Sequence, residues 1–336
     1  MASDPRSDNG QVTYTFDSVG NRLQRSSTLP AIPATGLLNY DPNDRTATDP
    51  YDASGNLLNG GVGTNVYDFE NRLVQAGGVK LVYDGDGNRV KETVATTTTS
   101  YLVADQNPTG YAQVLDELQN GAVTRTYSYG LELINERQTI AGTLTRSFYG
   151  YDGHGSVRFL TDSTGAISDT YDYDAFGNLI SSTGTTPNNY LFAGEQFDPA
   201  LGIYYNRARY YDQRQGRFWT MDTYEGDPES PASLHGYLYV NADPVGYVDP
   251  SGNDSVAEET VAISSEEVLA ALQSIVRAER TIKLARIASQ VTTGIVLLTA
   301  AFIVGDNSPQ PSAAGAPSAG PQTSKKSPPK TPKILY

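Results

Sequence analysis

YDASGNLLNGGVGTNVYDFENRLVQAGGVKLVYDGDGNRV, residues 51–90, states one short phrase three times. Tyr51, Tyr67 and Tyr83 each open a copy with a Tyr-Asp pair, and the copies lie 16 residues apart. Two copies then reach Gly-Asn before a Leu or Arg begins the next apolar run. Glycine can take the positive φ that a tight turn needs, and an aspartate three residues earlier can accept hydrogen bonds from the turn amides. Each copy therefore reads as a turn between two strands, and a spacing of 16 accommodates two strands and two turns. Alternation in KLVYDG, residues 80–85, agrees with strands that have one wetter face.

Outward from this stretch the phrase recurs as YTFDSVGNRL from Tyr14, YDGHGSVRFL from Tyr151 and YDYDAFGNLI from Tyr171. Tyr129, Tyr151 and Tyr173 lie 22 residues apart, which fits a similar unit with longer loops. The turn positions are Gly20 with Asn21, Gly55 with Asn56, Gly87 with Asn88, and Gly177 with Asn178. Tyrosines at equivalent strand positions are expected to stack from unit to unit, each pair adding roughly 0.2 to 1 kcal/mol. Six recurrences with two constant periods favour a repeat array over an ordinary β-sandwich, and such an array must be capped or continued at its ends.

The 336 residues include 23 Tyr and 32 Gly but no Cys, 2 His and 1 Trp. Without cysteine there is neither a disulfide nor a thiol nucleophile nor a zinc-thiolate site, and no metal or cofactor is expected. Residues 1–252 carry 31 acidic and 16 basic side chains, against 7 and 8 in residues 253–336. The front body thus holds a net charge of -15 against +1 for the rest, -14 in all, and should repel nucleic acid and anionic lipid. MASDPRSDNG at the start lacks an apolar core and does not read as a signal peptide. The protein then stays in the cytosol until lysis, leaves by a route that reads no such peptide, or is the end of a longer ancestral chain.

From Gly194 the pattern changes to GEQFDPALGIYYNRARYYDQRQGRFWTMDTYEGDPESPASLHGYLYVNADPVGYVDPSG, ending at Gly252. Aromatic residues interleave here with Arg207, Arg209 and Arg217, a mixture that also suits a platform for single-stranded nucleic acid. Glu195, Asp198, Asp212, Asp222, Asp227 and Asp243 surround them, which favours internal ion pairs and stacking instead. ARYYD (208–212), GRF (216–218), an acid four beyond that Phe (Asp222), YLYV (237–240) and DPSG (249–252) stand in order. In this order the stretch closely resembles the RHS-repeat-associated core that closes bacterial RHS/YD-repeat proteins, and the upstream units resemble the shell repeats of that family.

The resemblance implies a mainly β fold: a curved or spiralling antiparallel sheet, a partial RHS cocoon, over 1–193, plugged by the core at 194–252. It further implies an intramolecular aspartyl autoprotease in toxin-bearing relatives, severing the variable segment that follows. Carried over by position, the acids are Asp222 and Asp249, Arg209 supports them, and cleavage falls between Gly252 and Asn253. One carboxyl of such a pair stays protonated while the other activates water. Thr223 replaces the Pro usual after the first acid, Asn253 replaces a Leu, and the 27-residue spacing of the acids is lengthened by EGDPESPAS. Inert plug and active protease remain the two readings. His154 and His235 have no neighbouring ligand set and are read as structural.

After Gly252 the pattern turns helical. Ser264 and Glu267 form a capping-box pair, and Val268, Leu272, Ile275 and Leu284 supply an apolar stripe for an appendage over 253–306. Arg277, Arg280, Lys283 and Arg286 lie at its end. They precede IASQVTTGIVLLTAAFIVG, 287–305, 19 uncharged residues that read either as a membrane span or as a helix folded against the β body. Residues 307–336, rich in Pro, Ser, Ala and Lys, are expected to be disordered. The partners so implied are the chain's own carboxyl-terminal segment and a protein or membrane; nothing in the sequence names an immunity protein. Localisation is left between secretion and membrane association through 287–305.

Overall fold

Every repeat phrase forms the same six-residue turn, and the sheet is assembled from those turns. Around Asp52 the main chain closes by Asp52 N–H to Asn56 O (3.0 Å) and Gly55 N–H to Asp52 O (3.2 Å). The Asp52 Oδ1 accepts from the amides of Ser54 and Asn56, both at 2.9 Å, and its Oδ2 accepts from Asn56 Nδ2 at 2.9 Å. One carboxylate thereby satisfies the donors that a reversal leaves over. The residue before each aspartate then pairs with the residue six positions on: Tyr51 with Leu57, Tyr67 with Leu73, Tyr83 with Arg89, Tyr151 with Val157 and Tyr173 with Leu179.

The computed structural model describes residues 10–229, 231–253 and 255–257. A hairpin comes first, of β1 (Val12–Phe16) and β2 (Arg22–Ser27). Twelve strands follow in one antiparallel sheet, each paired with its neighbours in sequence. They are β3 (Asn65–Tyr67), β4 (Leu73–Ala76), β5 (Val79–Tyr83), β6 (Arg89–Val94), β7 (Thr97–Ala104), β8 (Gln113–Gln119), β9 (Ala122–Tyr129), β10 (Leu133–Ile140), β11 (Thr143–Tyr151), β12 (Val157–Thr161), β13 (Ile167–Tyr173) and β14 (Leu179–Thr183). Alternation is plain in β5, where Val79 and Leu81 are buried while Lys80 and Val82 are exposed.

A second antiparallel sheet contains β15 (Gln196–Asp198), β16 (Ile203–Asn206), β17 (Arg209–Asp212) and β18 (Arg217–Phe218). Its two faces bury against opposite ends of the large sheet. Ile203, Tyr210 and Trp219 pack with Leu73, Val79 and Leu81, whereas Tyr204, Tyr211 and Phe218 pack with Val157, Leu160 and Tyr171. The alternation of the YY pairs decides this, since Tyr204 faces Tyr211 across the strands and Tyr205 faces Tyr210. Trp219, Tyr204, Tyr211 and Phe218 are all fully buried, each worth on the order of 2 kcal/mol in apolar burial.

The mainly antiparallel β architecture agrees with the sequence reading, and one detail, the coupling of the tyrosines, differs from it. The large sheet ends at β3 and β14 without closing on itself among the described residues. No ring contact joins Tyr51, Tyr67 and Tyr83. Their units are coupled instead by hydroxyls reaching back to main-chain carbonyls, Tyr67 to Leu57 O (2.7 Å) and Tyr83 to Leu73 O (2.8 Å). Tyr151 to Leu133 O and Tyr173 to Val157 O repeat the device at 2.6 and 2.9 Å. Helical turns among the described residues are short 3-10 segments, Phe192–Gly194, Pro231–Leu234 and Val240–Ala242.

Membrane association through 287–305 is corrected. Among the described residues no helix is long and apolar enough to cross a bilayer, which takes about 20 apolar residues in a helix. The stretch 287–305 itself, the helix expected from Ser265 and the tail 307–336 lie outside the described residues.

Candidate functional site

Arg209 begins β17, is 6% exposed, and lies over the Phe218 ring, its guanidinium carbon 3.8 Å from the ring centre. Stacking fixes the plane of the fork and leaves its edges to polar partners. Nη2 meets Asp222 Oδ2 at 2.7 Å and lies 3.8 Å from Asp249 Oδ2. Nη1 donates to Gly236 O at 3.2 Å, and Nε donates to Gly252 O. Asp222, Asp249, Arg209 and Gly252, far apart in sequence, are thus gathered on one guanidinium. The EGDPESPAS stretch is taken up between Asp222 and Gly236, where Asp222 N–H donates to Gly236 O at 2.7 Å.

The chain at 249–252 is held carbonyl by carbonyl. Asn206 Nδ2 donates to Asp249 O (2.9 Å), Arg207 Nη1 to Pro250 O, Ala208 N–H to Ser251 O (3.1 Å), and Arg209 Nε to Gly252 O. Four consecutive residues grip four consecutive carbonyls. Glu195 steadies the grip by accepting Arg207 Nη1 on both oxygens at 2.9 Å. Gly252 takes a φ of 79°, and a Cβ there would stand 2.0 Å from Asn206 O, so glycine is required on both counts.

Asp249 is 3% exposed, and burial raises its pKa to about 6 despite Arg209, Ser251 and the Gly252 amide; the charge of Asp222 adds to the rise. Its Oδ1 accepts from Ser251 Oγ (3.0 Å) and Gly252 N–H (2.8 Å), an Asp-turn of the kind its Asp-Pro-Ser-Gly context encodes. Asp222 Oδ1 accepts from Tyr224 N–H at 2.9 Å. Asn253 N–H donates to Ser251 Oγ at 3.0 Å. Beside them opens a cavity of about 390 Å³, lined in part by Arg209, Thr223, Ser251 and Asn253.

A model of the Teneurin YD-shell matches residues 6–245. The chain belongs to the YD-shell family, within the wider group of RHS/YD-repeat proteins. Among curated YD-shell relatives, the tRNA nuclease WapA of Bacillus subtilis is 31% identical over 75% of this chain and 11% of its own length. The double-stranded DNA deaminase toxin A of Burkholderia cenocepacia is 26% identical over 55% of this chain and 12% of its own. This YD-shell chain therefore spans about a tenth of the length of these relatives. Among solved structures, the Photorhabdus luminescens Tc holotoxin pore superposes with a TM-score of 0.58 at 19% identity, covering 74% of this chain and 14% of that one. Family and fold together fit a structural shell role for the YD-shell segment.

The YD-shell turns carry the remaining sequence-named residues. Gly20, Gly55, Gly87 and Gly177 all have φ between 83° and 95°. Asn21, Asn56 and Asn178 continue past their own turns, donating to Asp44 Oδ1, Asn71 Oδ1 and Gln213 O at 2.8, 2.9 and 2.9 Å. Asn88 stays within its turn on Asp84 Oδ2 at 3.3 Å. The acidic surroundings of the arginines resolve into Arg207 with Glu195, Arg209 with Asp222, and Arg89 with Asp198 at 3.1 Å. Among the described residues Arg217 pairs with no acid. His235 is held neutral, its pKa pushed down to about 4 by burial, with Nδ1 accepting from Tyr237 N–H and Nε2 on Asn21 Oδ1 at 2.7 Å. Sequence reading missed the turn at Asp41, which has no glycine because Asp44 adopts φ 59°, and the roles of Asn206 and Arg207. Their only signal was adjacency to ARYYD.

Proposed function

We propose that this chain is the closing part of a YD-repeat shell that presents, and shelters, the polypeptide following Gly252. In this reading residues 1–193 form the sheet body, 194–252 the plug, 253–306 a helical appendage and 307–336 a tail. The grip of residues 206–209 on the carbonyls of 249–252 carries the proposal, because it anchors the departing chain at one defined place on the plug. A small sheet packed between both ends of the large one suits a sheet that curves around its plug. The partner is then the chain's own carboxyl-terminal segment, within a larger protein assembly of the kind represented by the Tc holotoxin pore. The acidic front body speaks against nucleic-acid contact by this part. Limited proteolysis of the native chain tests sheltering. The segment after Gly252 should resist protease until the β unit is unfolded; removal at the rate of an unfolded peptide rejects it.

A second reading, self-cleavage after Gly252, is favoured by one observation: the guanidinium that holds the Gly252 carbonyl also contacts both acids. Arg209 would polarise the carbonyl of the Gly252–Asn253 bond, Asp249, with its raised pKa, would supply a proton, and Asp222 would activate water. Folding itself supplies proximity. Mass spectrometry of purified protein separates the two readings. A fragment beginning at Asn253, absent from Asp222→Asn and Asp249→Asn, supports the protease; intact chain across pH 4 to 8 leaves the shell role alone.

A further inference from the structure

Three buried arginines lie near one another where the β1–β2 hairpin meets the small sheet, and among the described residues none of them forms a direct ion pair with a carboxylate. Arg22, Arg25 and Arg217 are each 4% exposed. Their hydrogen bonds go to main-chain oxygens: Arg22 Nη1 and Arg25 Nη1 to Arg214 O (3.1 and 3.3 Å), Arg25 Nε to Pro33 O (2.9 Å), and Arg217 Nη2 to Asp44 O. Nearby acids act on them only at a distance, as Asp174 does on Arg22, because their oxygens accept from other donors. Asp174 Oδ2 accepts Tyr14 Oη–H at 2.6 Å and Asn178 Nδ2 at 2.9 Å, Asp44 Oδ1 accepts Asn21, and Asp212 holds Arg214 at 2.7 Å.

The faces of two guanidiniums are covered. Arg22 lies 3.9 Å from the Phe176 ring centre and 4.5 Å from that of Tyr14; Arg217 lies 4.8 Å from Tyr237 and 5.1 Å from Tyr40. Their edges are not. Nε and Nη2 of Arg22 and Nε of Arg217 are buried donors with no acceptor among the described residues. Arg22 and Arg217 line one cavity of about 10 Å³, closed in part by Phe176, Tyr40 and Gly216. Gly216 has φ 72°, and a Cβ on it would lie 2.0 Å from Arg22 Nη2, so this glycine gives the guanidinium its place at the cavity wall.

A buried donor without an acceptor is costly, and more so on a charged group. A single small anion answers this: it accepts from several N–H groups at once and pairs directly with their charge. A cavity of this size holds about one water-sized particle, which excludes carboxylates and sugars phosphates alike. The charge of Arg217 also reaches His235, where it adds to burial in lowering the pKa while Asp44 opposes both.

We propose that the cavity between Arg22 and Arg217 binds a halide-sized inorganic anion, which fastens the amino-terminal hairpin to the small sheet. It gives Gly216 and Arg217 a purpose independent of the Asp222–Asp249 region.

The test is thermal unfolding of the full chain at constant ionic strength, with sodium chloride or bromide exchanged for sodium gluconate, whose anion is too large for the cavity. A saturable rise is expected, roughly 5 to 10 °C once chloride is a hundred-fold above its dissociation constant. The rise should disappear in Arg22→Met and Arg217→Met. Equal melting in chloride and gluconate overturns the proposal, as does an increment that persists unchanged in both variants, the mark of general screening. Should the variants fail to fold, chloride-35 nuclear magnetic resonance of the native chain decides. Line broadening reversed by bromide supports the site, and its absence rejects it.

Discussion

Replacing Glu136 with Gln should stabilise the protein in alkaline buffer and leave its acid stability nearly unchanged. Glu136 on β10 is fully buried, accepts Gln138 Nε2 at 2.8 Å on Oε1, and has no hydrogen-bond partner on Oε2 among the described residues. Burial raises its pKa from 4.5 to about 7; Arg125 and Tyr149 oppose the rise, and Glu117 and Asp169 add to it. The folded state therefore binds this proton more tightly than the unfolded chain. Its stabilising contribution is complete below pH 4.5 and is lost as pH rises through about 7. A difference of 2.5 pH units corresponds to about 3 kcal/mol, or roughly 6 to 12 °C in melting temperature. Glutamine cannot ionise, so the variant escapes that loss. Any cost of its unpaired amide nitrogen is constant with pH, which makes the slope the quantity to read. Urea unfolding of both proteins from pH 4.5 to 8.5 measures it. Asp198 and Asp249, each with a pKa raised to about 6, titrate in both proteins and cancel in the difference. Parallel stability curves, or a variant that loses ground as pH rises, would refute the reasoning.

Tyr83→Phe and Tyr173→Phe should each cost about 1 to 2 kcal/mol, since each leaves a carbonyl, of Leu73 or Val157, without its hydroxyl donor. The two losses should add, because the sites lie on different strands far apart in the sheet; midpoints unchanged in urea would mean that ring packing alone couples the units. Gly252→Ala should destabilise by more than about 1 kcal/mol through its positive φ and the clash with Asn206 O, and should speed hydrogen exchange at Ala208. An unchanged exchange rate at Ala208 would show that the grip on 249–252 does not depend on that close approach.

Much of the fold can be read from the repeat phrase because its information is local. An aspartate, a residue able to take positive φ and a side-chain donor four positions on are sufficient to build each turn within six residues. The turn at Asp41 escaped because Asp44 replaces glycine and Arg45 replaces asparagine, Arg45 Nε still reaching Asp41 Oδ2 at 2.8 Å. The coupling between units was not local. Equivalent tyrosines suggest ring stacking, yet the strand spacing turns each hydroxyl toward the preceding unit's carbonyl, a relation only the assembled sheet displays.

By itself, then, the chain determines its turns, its strand alternation and the change of pattern at Gly194, all consequences of φ preference and side-chain period. Tertiary structure alone decides that Arg209 meets Asp222, Asp249 and Gly252 together, and that Arg22, from the first hairpin, shares a cavity with Arg217. Those contacts join residues up to 195 positions apart, and their geometry follows from how two sheets pack, which no local spacing specifies.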